Sequence, residues 1–130
     1  MHASLRADPR VVLCEETDAR QFDPARLPGP ASLIAVDVSF ISLRLIAPAA
    51  ARLAAADADL VALVKPQFEV GRAHIGKNGV VTDAKARREA LDGARQAFAA
   101  EGWVIAAAVC SPITGGDGNL EYLLHARRGA

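Results

Sequence analysis

The sequence predicts an α/β fold with a mostly parallel sheet that ends in an antiparallel hairpin. Apolar residues make up 52% of the 130 residues and aromatic residues only 5%, so the core must consist of Ala, Val, Leu and Ile. This composition is typical of buried parallel strands that are covered by Ala-rich helices. Short apolar runs alternate with helical patterns along the chain, and no helical pattern separates the last two runs. This order of elements indicates parallel strands followed by a hairpin.

Two strands and one helix are predicted in the first half of the chain. Residues 2–7 have the pattern of a helix end, and Val11–Glu15 (VVLCE) is a short apolar run of the strand type. After a proline-rich loop, Leu33–Asp37 (LIAVD) forms a second strand that is apolar until its last residue. Ser42–Ala56 is predicted to be a helix, in which Pro48 should cause a kink or delay the start.

Three strands and one helix are predicted in the second half. Leu60–Lys65 (LVALVK) is a strand, and a Gly-containing loop over residues 67–82 follows it. The next helix spans Ala84–Glu101, with an apolar stripe at helical spacing. Trp103–Cys110 and Leu120–Arg127 are the last two strands, and the turn-forming residues between them predict the hairpin.

Charge and hydropathy restrict the classes of function. Fifteen basic residues balance fifteen acidic ones, whereas a protein that grips RNA by itself usually has a basic surplus. If RNA is the substrate, a local patch or another domain must therefore hold it. No apolar run reaches the ~18–20 residues that a membrane helix needs, and no segment has the layout of a signal peptide. Together with two cysteines that are expected to be reduced, these features predict a cytoplasmic protein without membrane contact.

Three charged residues are predicted to meet at one edge of the sheet. Asp37 and Lys65 are the last residues of successive parallel strands, and Glu121 lies at the beginning of the final, antiparallel strand. Ligands of open parallel sheets bind beyond the carboxyl ends of the strands. The alternative is that each residue is an ordinary charge at a solvated strand end.

The chemistry that fits this trio is proton removal from a hydroxyl group. A lysine amine can act as a base only when its pKa is lowered, usually by burial or by another cation. Flanking carboxylates have the opposite effect on that pKa, but they orient the amine and stabilise the ammonium that forms. Which of the two effects dominates stays open at this point.

Five strings in the sequence resemble the TlyA (hemolysin A) family of FtsJ-like proteins. They occur in the family's order and cover essentially the whole chain: DPRVVLCEETDAR at 8–20, DVSFISL at 37–43, LVKPQFEVGR at 63–72, GKNGVV at 76–81 and SPITGGDGNLEYLLH at 111–125. The resemblance implies part of a Rossmann-like methyltransferase sheet that uses S-adenosylmethionine (SAM). It also implies 2′-O-methylation of cytidine in ribosomal RNA, with ribosomal RNA or ribosomal subunits as partners.

The same resemblance implies roles for individual residues. FtsJ-like enzymes of this kind use a Lys-Asp-Lys-Glu tetrad, in which Asp37, Lys65 and Glu121 match the Asp, the second Lys and the Glu. Lys65 would be the base or would orient the 2′-hydroxyl. Asp37 would also lie next to the methionine end of SAM, and Thr17 and Asp18 would lie near its adenine. Family members typically have Asn where this chain has Asp18, which is a mild departure.

Some parts of the family's pattern have no match in this sequence. The upstream RNA-binding domain, the first tetrad Lys and the Gly-rich SAM loop are missing, so residues 1–130 are expected to be one truncated methyltransferase domain with little or no activity alone. Four C-terminal strands should form a sheet. The Val11–Glu15 strand should pair directly with Leu33–Asp37, pair with another chain, or stay loose. Exposed sheet edges also make a homo-oligomer an expectation.

The loop at residues 71–78 (GRAHIGKN) almost spells a phosphate-binding P-loop. Its last residue, Asn78, lacks the hydroxyl that binds Mg²⁺, which argues against that function. The loop is interpreted instead as a cover for the substrate, with Phe68, Arg72 and Lys77 near RNA, or as a plain surface loop. A non-catalytic module of the same fold and a P-loop-like phosphate-binding domain remain as alternative functions. The scattered histidines predict no metal site.

Overall fold

A computed structural model of the protein describes residues 1–71, 75–76, 79–115 and 118–129. Arg72 and Lys77 lie outside these residues. The helices and strands are α1 (Ala3–Arg6), β1 (Ala31–Val36), α2 (Leu43–Leu53), β2 (Ala54–Val64), α3 (Ala84–Ala100), β3 (Val104–Cys110) and β4 (Tyr122–Arg127). Three single turns of 3₁₀-helix cover Ala19–Gln21, Pro24–Arg26 and Pro66–Phe68.

The four strands form one mixed sheet with the order β1-β2-β4-β3. β1 and β2 are parallel, with Val36 opposite Ala62, and β4 runs antiparallel to both β2 and β3. β4 therefore inserts between β2 and β3, and β3 runs in the same direction as β1 and β2. The predicted α/β class, the parallel strands and the closing antiparallel hairpin are confirmed.

The prediction of a strand at Val11–Glu15 is wrong, because these residues pair with no strand in the described part of the chain. Ion pairs hold the end of this segment instead, since the Arg6 guanidinium donates to both oxygens of Glu15 at 2.9 and 3.1 Å. Glu16 then turns the backbone with a φ of 53°. Direct pairing with Leu33–Asp37, one of the outcomes expected for this segment, does not occur, and the outer edge of β1 has no partner strand among the described residues. Pairing with another chain stays a prediction.

Helix α2 begins at a double cap. The Ser42 side chain accepts from the Arg44 N–H at 3.2 Å, which is the usual role of an N-cap serine. The Glu69 carboxylate accepts from the Ser42 hydroxyl at 2.6 Å and from the Leu43 N–H at 2.7 Å. Pro48 lies inside the helix and does not delay its start. The cap ties α2 to the segment that follows β2.

The core lies on one face of the sheet, under α2 and α3. Leu60, Val64, Phe98 and Leu124 are among its completely buried side chains. On the other face the pleat points apolar residues outward; the most exposed of them are Leu33 at 63%, Val104 at 61% and Val109 at 56%. None of the described helices has the length and apolar character to cross a membrane.

Candidate functional site

The sheet topology brings the ends of three strands to one edge. β1 ends at Val36 and β2 ends at Val64, so Asp37 and Lys65 follow these strands directly. β4 begins at Tyr122 and is antiparallel to β2, with Tyr122 opposite Val64. Glu121 therefore lies on the same edge, as the order of elements requires.

Asp37 and Lys65 form an ion pair at this edge. The Lys65 Nζ lies 2.6 Å from Asp37 Oδ1 and donates to the Ser39 Oγ at 3.1 Å. The Lys65 side chain is only 15% exposed, whereas that of Asp37 is 72% exposed. An ammonium has three N–H donors, and these two contacts use two of them. No residue in the described ranges accepts from the third donor, which lies at the border between the core and solvent.

Glu121 belongs to the same edge but does not pair with Lys65. Its residue is only 5% exposed, and its Oε2 accepts from the Gln67 Nε2 at 2.8 Å. Among the described residues, Asp37 alone forms an ion pair with Lys65. Gly115 lies against the Glu121 carboxylate so closely that an added Cβ would collide with Oε2.

Asn119 anchors the turn that leads into Glu121. Its Oδ1 accepts from the Val81 N–H at 2.9 Å, and its Nδ2 donates to the Gly79 carbonyl at 2.9 Å. The Asn119 carbonyl accepts from the Gly115 N–H at 2.7 Å, which closes the turn. Sequence analysis identified this segment only as a turn, because the partners of Asn119 lie about forty residues earlier in the chain.

Two aromatic rings lie in the short segments that follow Asp37 and Lys65 in sequence. Phe68, predicted to be near a substrate, has its ring centroid 4.8 Å from that of Phe40, with 52° between the ring planes. Phe40 is 90% exposed and has a φ of 62°, which is a strained conformation for a bulky residue. Sequence analysis missed Phe40, although an aromatic residue three positions after a strand-end Asp was a signal. The predicted substrate residues Arg72 and Lys77 lie outside the described residues.

A cavity lies beside β1, and a second cavity adjoins it near Thr17, where a cofactor was expected. One measures about 230 Å³ and extends along β1 and α2 to Asp37, and the other measures about 280 Å³ and is lined by Val12, Cys14 and Thr17. Both include Leu53 in their walls. A largely apolar slot with a carboxylate at one end suits a ligand that has a flat aromatic group and a cationic end.

The two residues that were expected near the adenine differ in their surroundings. Thr17 lines the second cavity, and its hydroxyl donates to the Glu15 carbonyl at 2.9 Å. The Asp18 carboxylate accepts from the Arg20 guanidinium, with a shortest contact of 2.8 Å. These hydrogen bonds hold the pKa of the Asp18 carboxyl below its ordinary value. Asp18 and Asp37 thus each have a cationic partner, Arg20 and Lys65, but the Asp37 side chain remains 72% exposed.

Comparison with known proteins gives matches over nearly the whole chain. The family model of the FtsJ-like methyltransferases matches residues 1–128. The 16S/23S rRNA (cytidine-2′-O)-methyltransferase TlyA of Mycobacterium tuberculosis is 47% identical over 125 residues, which are 95% of this chain and 46% of that protein. Hemolysin A of Brachyspira hyodysenteriae is 36% identical over 93% of this chain and 51% of its own length. The chain thus spans about half the length of these relatives.

Solved structures agree with this result. A hemolysin-like protein from Streptococcus thermophilus superposes with a TM-score of 0.91 at 40% identity, over 96% of this chain and 46% of the other. The N-methyltransferase NodS from Bradyrhizobium japonicum, solved with S-adenosylhomocysteine, has a TM-score of 0.52 at 15% identity, over 88% of this chain and 53% of NodS. The second match shows a shared methyltransferase fold alone. By its family model, its relatives and its fold, the chain belongs to the FtsJ-like methyltransferase family.

Proposed function

We propose that this chain is the catalytic part of a SAM-dependent enzyme that methylates the 2′-hydroxyl of cytidine in ribosomal RNA. The observation that carries the proposal is the ion pair between Lys65 and Asp37 at the ends of parallel strands, in which one ammonium donor has no acceptor in the described part of the chain. The name of the M. tuberculosis relative, a 16S/23S rRNA (cytidine-2′-O)-methyltransferase, supports the choice of substrate.

In this proposal Lys65 acts on the ribose hydroxyl. In its ion pair with Asp37 the side chain is a hydrogen-bond donor, so its remaining N–H would hold the hydroxyl oxygen in place. The oxygen gains nucleophilic character as its proton passes to water at this solvent-bordering edge, and the adjacent ammonium stabilises the negative charge that develops on the oxygen. Asp37 keeps the ammonium oriented, and Glu121 adds a second carboxylate at the same edge of the sheet.

The cofactor site in this proposal is the pair of cavities beside β1. SAM, when it is bound, would supply a methyl group on a sulfonium for transfer to the hydroxyl oxygen. Asp37 would accept hydrogen bonds from the amino group of the cofactor, because its carboxylate is largely exposed at the end of one cavity. Thr17 and the apolar wall around it would hold the adenine.

We place the RNA on the aromatic side of the edge. Unstacked RNA bases bind to aromatic side chains, and the exposed Phe40 and its neighbour Phe68 provide such a surface. Arg72 and Lys77 would add phosphate contacts from the following loop. Because the chain has no net positive charge, we propose that residues 1–130 form one methyltransferase domain whose RNA affinity comes partly from segments beyond the shared region.

The test is methyl transfer from radiolabelled SAM to ribosomal subunits, with calorimetric titration of SAM in parallel. A 2′-O-methyl group is identified because the phosphodiester bond that follows it resists alkaline hydrolysis. Lys65→Met should lower the rate by about 10²–10³-fold, the usual contribution of a preorganised donor that stabilises developing negative charge. Lys85→Met, on the exposed side of α3, is the matched control and should keep the rate.

A chimera serves as a second test protein, because the chain alone is expected to have little activity without the rest of the enzyme. Residues 1–128 would replace the matching segment of the M. tuberculosis relative, and the chimera would be assayed in the same way. Absence of ribose methylation by both the chain and the chimera would contradict the proposal. Equal activity of Lys65→Met and wild type would contradict the role given to Lys65.

A further inference from the structure

Gln67 joins two strand ends of the candidate site. It lies two residues after Lys65, in the 3₁₀ turn Pro66–Phe68, and its Nε2 donates to the Glu121 Oε2 across 54 residues of sequence. The distance of 2.8 Å is that of a good hydrogen bond to a carboxylate. The segment that carries Lys65 and the segment that carries Glu121 are therefore connected by a side chain that has so far been given no role.

The Glu121 carboxylate is held on two sides. Gln67 binds Oε2 from the β2 side, and Gly115 leaves room for the same oxygen, because a Cβ there would overlap it. Oε1 makes no hydrogen bond with any residue in the described ranges. One carboxylate oxygen is thus fixed within the protein, and the other is left for a different partner.

The orientation of the Gln67 amide is energetically unfavourable at one of its two polar atoms. With Nε2 turned toward Glu121, the Gln67 Oε1 is buried and has no hydrogen-bond partner among the described residues. A buried carbonyl oxygen without a donor destabilises a fold. A pair selected for stability alone would satisfy both ends of the amide. Polar groups that break this rule are typical of functional sites.

We propose that Gln67 is a positioning residue, which fixes the Glu121 carboxylate so that its Oε1 contacts the substrate beside Lys65. This inference rests on the proposed methyl transfer and adds to it a residue outside the predicted Asp, Lys and Glu. Gln67 itself would not touch the reacting atoms. Its removal would leave the cofactor cavities beside β1 intact, because Gln67 lines neither of them.

The first part of the test is a double-mutant cycle on the full chain, in which the stability of each variant is measured by urea unfolding. Gln67→Met and Glu121→Met should each raise the equilibrium constant for unfolding, since each leaves a buried polar partner unpaired. The double variant should be no less stable than the worse single variant, with a coupling of about tenfold. Should Glu121→Met fail to fold, Glu121→Gln replaces it. Purely additive effects would refute the contact.

The second part is kinetic and uses the methyl-transfer assay. Gln67→Met should lower kcat about tenfold or more and leave KM for SAM and for RNA within about twofold, because it disturbs orientation and not binding. Gln96→Met, an exposed glutamine on α3, is the control. Absence of ribose methylation by both the wild-type chain and the wild-type chimera would refute the proposed function, and the positioning role with it. An active wild type with an equally active Gln67→Met variant would refute the positioning role alone.

Discussion

Replacing Gly115 by alanine should be far more costly than glycine-to-alanine changes usually are. The added methyl group would lie within the volume of the Glu121 carboxylate, with Oε2, Cδ and Oε1 as its nearest neighbours. Gly115 does not have a positive φ, so the effect of the substitution is steric and not conformational. The carboxylate must move away, and it then loses its hydrogen bond from Gln67.

The size of the effect follows from these two losses. Insertion of a methyl group into a packed site costs about 1–3 kcal/mol, and a hydrogen bond to a charged group contributes about 1.5–3 kcal/mol. Because the two effects overlap, we expect a loss of about 2–4 kcal/mol in the free energy of unfolding. For a domain of this size the midpoint of thermal unfolding should fall by about 3–5 °C per kcal/mol.

Gly93→Ala is the matched control for this experiment. Gly93 lies inside α3, and an added Cβ there meets nothing within 4 Å. Since alanine is the better helix former, this variant should gain up to about 1 kcal/mol. Both variants would be compared by urea and thermal unfolding. A Gly115→Ala protein as stable as wild type would refute the packing of Glu121 against Gly115.

Two further predictions concern parts of the fold that hold the site. Glu69→Ala should destabilise the chain by about 1–2 kcal/mol in urea unfolding, because the N–H of Leu43 and the hydroxyl of Ser42 lose their acceptor, whereas Glu89→Ala on exposed α3 should have no measurable effect. Hydrogen bonding from His125, and then the charge of Arg127, lowers the pKa of the Asp59 carboxyl below 3.8. Its stabilising contribution is therefore complete above that ordinary pKa and is lost as the pH falls through the lower folded value. As the pH falls from about 5 to about 2, Asp59→Asn should lose less thermal stability than wild type. An equal loss in the two proteins would contradict this prediction.

Elements with a strong local signal were predicted closely. α3 was expected at Ala84–Glu101 and spans Ala84–Ala100, with Asp83 as its N-cap. Its apolar stripe and its cap are encoded within one stretch of sequence, so no distant contact is needed to specify them. The same holds for Asp37 and Lys65, since each is the first charged residue after an apolar run.

Alanine-rich and isolated segments were predicted less well. The helix expected to reach Ala56 ends at Leu53, and β2 begins at Ala54, six residues before its predicted start. Alanine favours helices, but pairing with β1, where Ala31 lies opposite Ala54, overrides that preference. At Val11–Glu15 a predicted strand did not form, because a strand-like run without a partner strand cannot satisfy the hydrogen-bonding groups of its backbone.

The sequence by itself determined the fold class, the family and the edge at which Asp37, Lys65 and Glu121 lie. Only the tertiary structure decided that Lys65 pairs with Asp37, that Glu121 is held by Gln67 and Gly115, and that Phe40 joins Phe68 beside them. The physical reason is the range of the interactions. Strand periodicity and strand-end charges are set within a few residues, whereas the partner of a buried carboxylate 54 residues away depends on how β4 inserts beside β2.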